Sequence, residues 1–82
     1  MVVKVYSTES CPYCNMEKEW LKENGVEFED INVGEDIKKA KEMIEKSGQQ
    51  GVPVTIIEKD GKEEVIVGFD KDKLKENLNL NE

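Results

Sequence analysis

Hydrophobic residues along this chain form short strand-like runs that alternate with longer stripes at helical spacing. Residues 2–7 are rich in Val and predict a buried strand, because β-branched residues favour extended backbone. Over residues 12–24, Met16 and Trp20 lie four positions apart and charged residues occupy the other helix faces. We therefore predict a helix that buries Met16 and Trp20 and ends near Gly25.

The middle of the chain predicts a second strand and a second helix. Residues 26–33 alternate apolar and polar side chains, which is typical of a strand with one buried face. Residues 35–47 have the apolar spacing of an amphipathic helix, and Gly48 follows as a typical helix-ending residue. The side chains that we expect on its apolar stripe are Ile37, Ala40 and Ile44, with Met43 beside them.

The last third predicts a β-hairpin and a final helix. Two strand-like runs, at 54–58 and 63–67, flank an Asp-Gly pair, which is a strong hairpin signal between apolar runs. Asp70 is suited to cap a last helix, because its carboxylate can accept from the free N–H groups of the first turn. In that helix Leu74 and Leu78 share one face.

The predicted order of elements is strand, helix, strand, helix, β-hairpin, helix. The initial strand–helix–strand unit should be parallel and right-handed, whereas the hairpin adds antiparallel strands. We therefore predict an α/β fold in which a four-stranded mixed sheet carries three helices on its faces. The 82 residues are enough for one small domain, which we place over residues 1–82.

The composition argues against two kinds of partner. The chain has 19 acidic and 12 basic residues and a net charge of −7, and no basic patch stands out, so we expect no nucleic-acid partner. No apolar run approaches the roughly 20 residues that cross a bilayer, so we expect no membrane association. The first residues lack the long apolar core of a signal peptide, so we expect a cytoplasmic protein.

The segment Cys11-Pro12-Tyr13-Cys14 carries the most specific chemistry. Its spacing places both sulfurs on one face of the first helical turn, within reach of a disulfide. Cys11 would face the positive end of the helix dipole, which favours a thiolate, and thiolates attack disulfides. We predict that Cys11 is the nucleophile, that the more shielded Cys14 is the resolving thiol, and that Pro12 fixes the backbone between them.

Two cysteines at this spacing also occur in metal sites and in structural disulfides. A structural zinc site normally uses four protein ligands, and the sequence has no third Cys and no His. A zinc site completed by carboxylates or by a second copy of the chain stays open as an alternative. A purely structural disulfide would close a very short loop and suits a cytosolic protein poorly. An adaptor with an incidental cysteine pair is the remaining alternative.

Three segments, in this order and spacing, resemble the glutaredoxin family: Cys-Pro-Tyr-Cys at 11–14, Gly-Val-Pro at 51–53 and Gly-Phe-Asp at 68–70. The resemblance covers about residues 2–80. It implies a thioredoxin fold whose sheet order is second, first, third and fourth strand. It also implies a cis peptide bond between Val52 and Pro53.

The resemblance further implies a substrate groove around the cysteine pair. The backbone of Val52 would pair with an extended substrate, as a strand adds to a sheet edge. Gly68 and Asp70 would bind glutathione, since Gly admits a ligand close to the backbone and a carboxylate accepts from an amino group. The implied substrate-binding residues are Pro12, Tyr13, Gln50, Gly51, Val52, Pro53, Gly68, Phe69 and Asp70.

The chain departs from glutathione-using members at positions that supply positive charge. Thr8 stands where these members often carry Lys, and the acidic Glu9 follows it. The Gly68-Phe69 pair is similar to redoxins of the NrdH type, which take electrons from thioredoxin reductase. These differences concern the electron source and leave the dithiol chemistry in place.

The resemblance thus implies a thiol–disulfide oxidoreductase that reduces protein or glutathione mixed disulfides. We expect glutathione as co-substrate and electron source, disulfide-containing proteins as substrates, no bound cofactor and a monomer. Thioredoxin reductase is the alternative electron source. The alternative of a different class is an iron–sulfur or zinc carrier that uses Cys11 as a ligand.

Overall fold

Four strands and three helices follow one another in the part of the chain that the computed structural model describes, residues 2–49 and 51–78. No helix in that part is long and apolar enough to span a membrane. In chain order the elements are β1 (Val2–Ser7), α1 (Pro12–Glu23), β2 (Glu29–Asn32), α2 (Ile37–Ser47), β3 (Val54–Lys59), β4 (Lys62–Val67) and α3 (Lys71–Leu78).

The four strands form one mixed sheet in the order β2-β1-β3-β4, which confirms the predicted α/β fold and the strand order that the resemblance implied. β1 is parallel to β2 and antiparallel to β3, so Tyr6 lies opposite Ile31 on one side and Val54 on the other. β3 and β4 form an antiparallel hairpin. Its turn residues, Asp60 and Gly61, have φ values of 51° and 79°, the positive values that a tight hairpin turn requires.

The core consists of one apolar layer on each face of the sheet. Successive strand residues point to opposite faces, so Val5 and Tyr6 belong to different layers. α1 and α3 cover the first layer, and α2 covers the second through Met43. The buried residues of the first layer are Val3, Val5, Leu21, Ile57, Ile66, Leu74 and Leu78, and those of the second are Tyr6, Ile31, Met43, Val54 and Ile56.

The buried face of α1 differs from the prediction. Cys14, Glu17 and Leu21 are buried, whereas Met16 is 50% exposed and Trp20 packs half-buried at the margin of the core. At 3.6 residues per turn, the three buried residues lie within about 60° of one another, and Met16 points roughly 130° away from them. The prediction that Met16 lies in the core is therefore wrong.

α2 begins later than predicted and buries a different side chain. Asp36 caps it, with its Oδ1 accepting the backbone N–H of Lys39 at 3.1 Å, so the helix begins at Ile37. Met43 is buried, but Ile37 is 74% exposed and Ile44 is 36% exposed. The predicted stripe is wrong for both isoleucines, because the sheet contacts the helix face that is centred on Met43.

β2 is shorter than the predicted strand over residues 26–33, since it covers only Glu29–Asn32. The backbone N–H of Val26 donates to the Leu21 carbonyl at 2.9 Å and so completes the end of α1. Val26 and Phe28 then pack half-buried against the first core layer from an irregular connection. The apolar alternation in this segment therefore reflects packing of the connection as well as the strand.

Candidate active site at the start of helix α1

The two cysteines lie where β1 leads into α1. Cys11 is the N-cap residue of the helix, with an extended backbone (φ −93°, ψ 108°), and Pro12 follows it in the first turn. Proline suits this position because its missing N–H has no helical partner to lose. The backbone N–H of Cys14 donates to the Cys11 sulfur at 3.2 Å, as a capping side chain requires. The end of the helix that attracts negative charge is therefore directed at the first sulfur.

The two thiols differ in exposure. Both are free, but Cys11 is partly exposed whereas Cys14 is fully buried. Burial raises the pKa of the Cys14 thiol to about 12, and its hydrogen bond with Cys11 acts in the same direction. Because a buried thiolate loses its hydration, Cys14 is held in its neutral form. The accessible sulfur and the shielded sulfur thus have different chemical environments.

The loop before β3 lies against the first thiol. The Val52–Pro53 peptide bond is cis, as the resemblance implied. The Cys11 sulfur lies 3.9 Å from the Val52 carbonyl oxygen, to which its S–H can donate weakly. The Pro53 carbonyl accepts the backbone N–H of Gly68 at 2.8 Å. These contacts bring the segments around Pro53 and Gly68 to the same end of the sheet as Cys11.

The segment after β4 forms a shallow groove at the start of α3. Gly68 has a φ of 79°, a conformation that glycine adopts without strain. Asp70 caps α3, with its Oδ1 accepting the backbone N–H of Lys73 at 3.1 Å. The Lys71 ammonium lies 5.6 Å from the centre of the Phe69 ring. The groove is lined by Met16, Val67, Gly68, Phe69, Asp70, Lys71 and Asp72.

Other residues expected at the site are mostly exposed. Tyr13 is 64% exposed between the two cysteines, and Gly51 is exposed before the cis bond. Gln50 lies outside the described residues. Across residues 2–49 and 51–78, no group of three or more His, Cys, Asp or Glu side chains is placed to hold a metal ion.

Comparison with known proteins decides the family. The family model named Glutaredoxin matches residues 3–62, which is well over half of the chain and includes the cysteine pair and Pro53. The chain belongs to the glutaredoxin family. The resemblance drawn from the three sequence segments is therefore confirmed, and a redox role follows from membership of this family of redox proteins.

Individual relatives of this glutaredoxin-family chain support the same assignment. A glutaredoxin-like 8.6 kDa protein from the rubredoxin operon of Clostridium pasteurianum is 47% identical over 85% of this chain and 88% of its own length. A solved thioredoxin-like protein matches with a TM-score of 0.85 at 33% identity, over 96% of each chain. The Escherichia coli NrdH-redoxin, described as glutaredoxin-like with a thioredoxin-like activity profile, matches with a TM-score of 0.74 at 27% identity, over 100% of this chain and 97% of its own. These likenesses confirm the thioredoxin fold.

Sequence reasoning missed one polar residue behind the cysteine pair. Glu17 is fully buried, and its Oε2 accepts a hydrogen bond from the Thr55 hydroxyl of β3 at 2.5 Å. Burial raises the pKa of the Glu17 carboxyl to about 7, although the hydrogen bond from Thr55 opposes that rise. The sequence position of Glu17 could have indicated its burial. Glu17 lies three residues after Cys14 and four before Leu21, on the stripe that α1 buries.

Proposed function

We propose that this protein is a thiol–disulfide oxidoreductase in which Cys11 attacks the substrate and Cys14 resolves the intermediate. The observation that carries the proposal is the placement of the two sulfurs. Cys11 is partly exposed at the helix N-terminus and accepts the Cys14 N–H at 3.2 Å, while the Cys14 side chain is fully buried behind it. A substrate disulfide can therefore reach the Cys11 sulfur, whereas the Cys14 sulfur is shielded from it.

The proposed reaction has two exchange steps. The Cys11 thiolate attacks one sulfur of a substrate disulfide, a new S–S bond forms, and the other substrate sulfur leaves as a thiolate that takes a proton from water. Cys14 then loses its proton and attacks the Cys11 sulfur, which releases the second substrate thiol. Two electrons have passed to the substrate, and the protein holds a Cys11–Cys14 disulfide. The reaction uses no bound cofactor, and the reducing cytoplasm is the compartment that suits it.

Single substitutions of each cysteine test this assignment. With reduced protein and a disulfide-linked peptide, Cys11→Ser should abolish reduction, because the remaining thiol is buried. Cys14→Ser should react once and stay attached to half of the substrate, which an acid-quenched intact mass reports. Ser10→Ala, at an exposed neighbouring position, is the matched control and should retain full activity. Full peptide reduction by Cys11→Ser would overturn the proposal.

We propose glutathione mixed disulfides as the substrate class and glutathione as the electron source. The support is the groove at the start of α3, which lies on the segment that the family resemblance associates with glutathione. There the N–H groups of a helix N-terminus and the Lys71 ammonium suit a carboxylate, while the Asp70 and Asp72 carboxylates suit an amino group. Beside Cys11, the Val52 backbone is positioned to bond with an extended peptide such as glutathione.

Thioredoxin reductase is the second candidate electron source. The full-length likeness to an NrdH-redoxin with a thioredoxin-like activity profile supports it, as does Thr8 at a position where glutathione-using relatives often carry Lys. A coupled assay distinguishes the two sources: the oxidised protein is offered either glutathione with glutathione reductase or thioredoxin reductase alone, each with NADPH. Turnover with glutathione supports the first proposal. Turnover only with thioredoxin reductase would replace it with the second.

A further inference from the structure

Glu17 is an ionisable side chain enclosed between α1 and the sheet. It is 0% exposed, and its Oε2 is hydrogen-bonded to the Thr55 hydroxyl. Its other oxygen, Oε1, has no hydrogen-bond partner among the described residues. A buried carboxyl with one unpartnered oxygen is unfavourable for folding, and an apolar residue at the same position would avoid that penalty. A group that is costly to bury and lies next to reactive residues is a candidate for a functional role.

The titratable group that shares the buried face of α1 with Glu17 is Cys14. Cys14 lies three residues earlier on the same buried helix face, and the two side chains interact electrostatically. Residues at this spacing have Cβ atoms about 5–6 Å apart, so the two side chains are neighbours on the buried face of α1. Across the sheet, Thr55 is paired with Val5 on β1 and Ile66 on β4, which are apolar. The buried residues that α3 contributes to this layer are also apolar, namely Leu74 and Leu78.

The resolving step creates a need for a buried base. Cys14 must lose its proton before it can attack, yet burial raises the pKa of its thiol, so the neutral form predominates at pH 7. Bulk water has no direct access to a fully buried sulfur. A proton acceptor is most effective when its own pKa lies near the working pH, and burial places the pKa of Glu17 at about 7.

We propose that Glu17 is the proton acceptor for the Cys14 thiol during the resolving step. This inference rests on the dithiol mechanism proposed above. As the Cys14 sulfur attacks Cys11, the thiol proton passes to Oε1 of Glu17, directly or through one water molecule. The bond between Cys11 and the substrate sulfur breaks, and the substrate leaves as a thiolate that takes a proton from solvent. When an incoming thiolate later reduces the Cys11–Cys14 disulfide, Cys14 leaves and recovers the proton from Glu17.

Stopped-flow reaction with dithiobis(nitrobenzoate) separates the two exchange steps. Attack by Cys11 releases one coloured thiolate at a rate proportional to reagent concentration, and attack by Cys14 releases the second at a rate that is independent of it. Glu17→Gln keeps the size of the side chain and an oxygen that accepts from Thr55, but it cannot take a proton. We expect it to leave the first phase within twofold of wild type and to slow the second phase near pH 7 by about 10²-fold.

The pH profile and two further variants complete the test. In wild type the second phase should rise through an inflection near pH 7, and Glu17→Gln should lack that inflection. Thr55→Val removes the hydrogen bond that lowers the pKa of Glu17, so it should move the inflection to higher pH. Glu19→Gln, at an exposed position of the same helix, should behave as wild type.

The outcomes distinguish this inference from the function on which it rests. A second phase of Glu17→Gln that equals wild type in rate and pH dependence would overturn the role of Glu17 and leave the dithiol mechanism intact. If Glu17→Gln does not fold, an inflection in Thr55→Val at the wild-type pH would overturn it instead. Release of a single coloured thiolate per molecule of reduced wild type would refute the dithiol mechanism and this inference together.

Discussion

Replacing Glu17 with Gln should make the stability of the fold less sensitive to pH. Burial raises the pKa of this carboxyl from 4.5 to about 7 in the folded chain. Between these two pH values the folded protein retains a proton that the unfolded chain has released, so stability falls as pH rises. Each pKa unit corresponds to roughly 1.4 kcal/mol, which gives a loss of about 3 kcal/mol between pH 4 and pH 8.

Urea unfolding of the reduced proteins at several pH values measures this difference. At pH 4 the protonated Glu17 resembles Gln, and the two proteins should have similar unfolding free energies. At pH 8 the variant should be more stable than wild type by about 3 kcal/mol, a midpoint difference of roughly 2–3 M urea for a domain of this size. Glu19→Gln controls for the loss of one negative charge from α1. A stability difference between wild type and Glu17→Gln that stays constant within about 1 kcal/mol from pH 4 to pH 8 would show that burial does not raise the pKa of Glu17.

Three further substitutions test the packing and the turns by urea unfolding at neutral pH. Leu21→Ala, at a fully buried position that α1 contributes to the first core layer, should cost about 2–5 kcal/mol, and a cost below about 1 kcal/mol would contradict that packing. Asp36→Ala removes the cap of α2 and should cost about 1 kcal/mol, whereas an unchanged midpoint would show that the cap contributes nothing. In Gly61→Ala the added methyl group contacts no atom within 4 Å, but the alanine must adopt a φ of 79°, so the variant should lose about 1 kcal/mol of unfolding free energy. A stabilised variant would show that the turn tolerates a side chain.

Local signals in the sequence were sufficient for most of the fold. The bounds of β1 and the hairpin turn at Asp60 and Gly61 follow from short segments whose preferences agree with their surroundings. Local sequence did not predict which face of a helix packs on the sheet, because that face depends on residues distant in the chain. The apolar spacing of α1 favoured Met16, yet the sheet accepts the face that carries Glu17, whose partner Thr55 lies 38 residues away.

The candidate site likewise has features that the sequence predicted and one residue that it did not. The cysteine pair and the cis bond at Pro53 were anticipated from the sequence and its resemblance to glutaredoxins. The buried Glu17 was not, because a Glu among Lys and Glu residues on an amphipathic helix is usually solvated. Only the three-dimensional packing shows that it lies in the core on the same helix face as Cys14.

In the proposed mechanism Cys11 is the attacking thiol and Cys14 is the resolving one. Its most direct measurement is the acid-quenched intact mass of each single Cys→Ser variant after brief exposure to glutathione disulfide. Cys14→Ser should gain one glutathionyl group, which peptide mapping places on Cys11, whereas Cys11→Ser should stay unmodified over the same time because its remaining thiol is buried. Rapid glutathionylation of Cys14 in the Cys11→Ser variant, with Cys11 unreactive in the other, would contradict it.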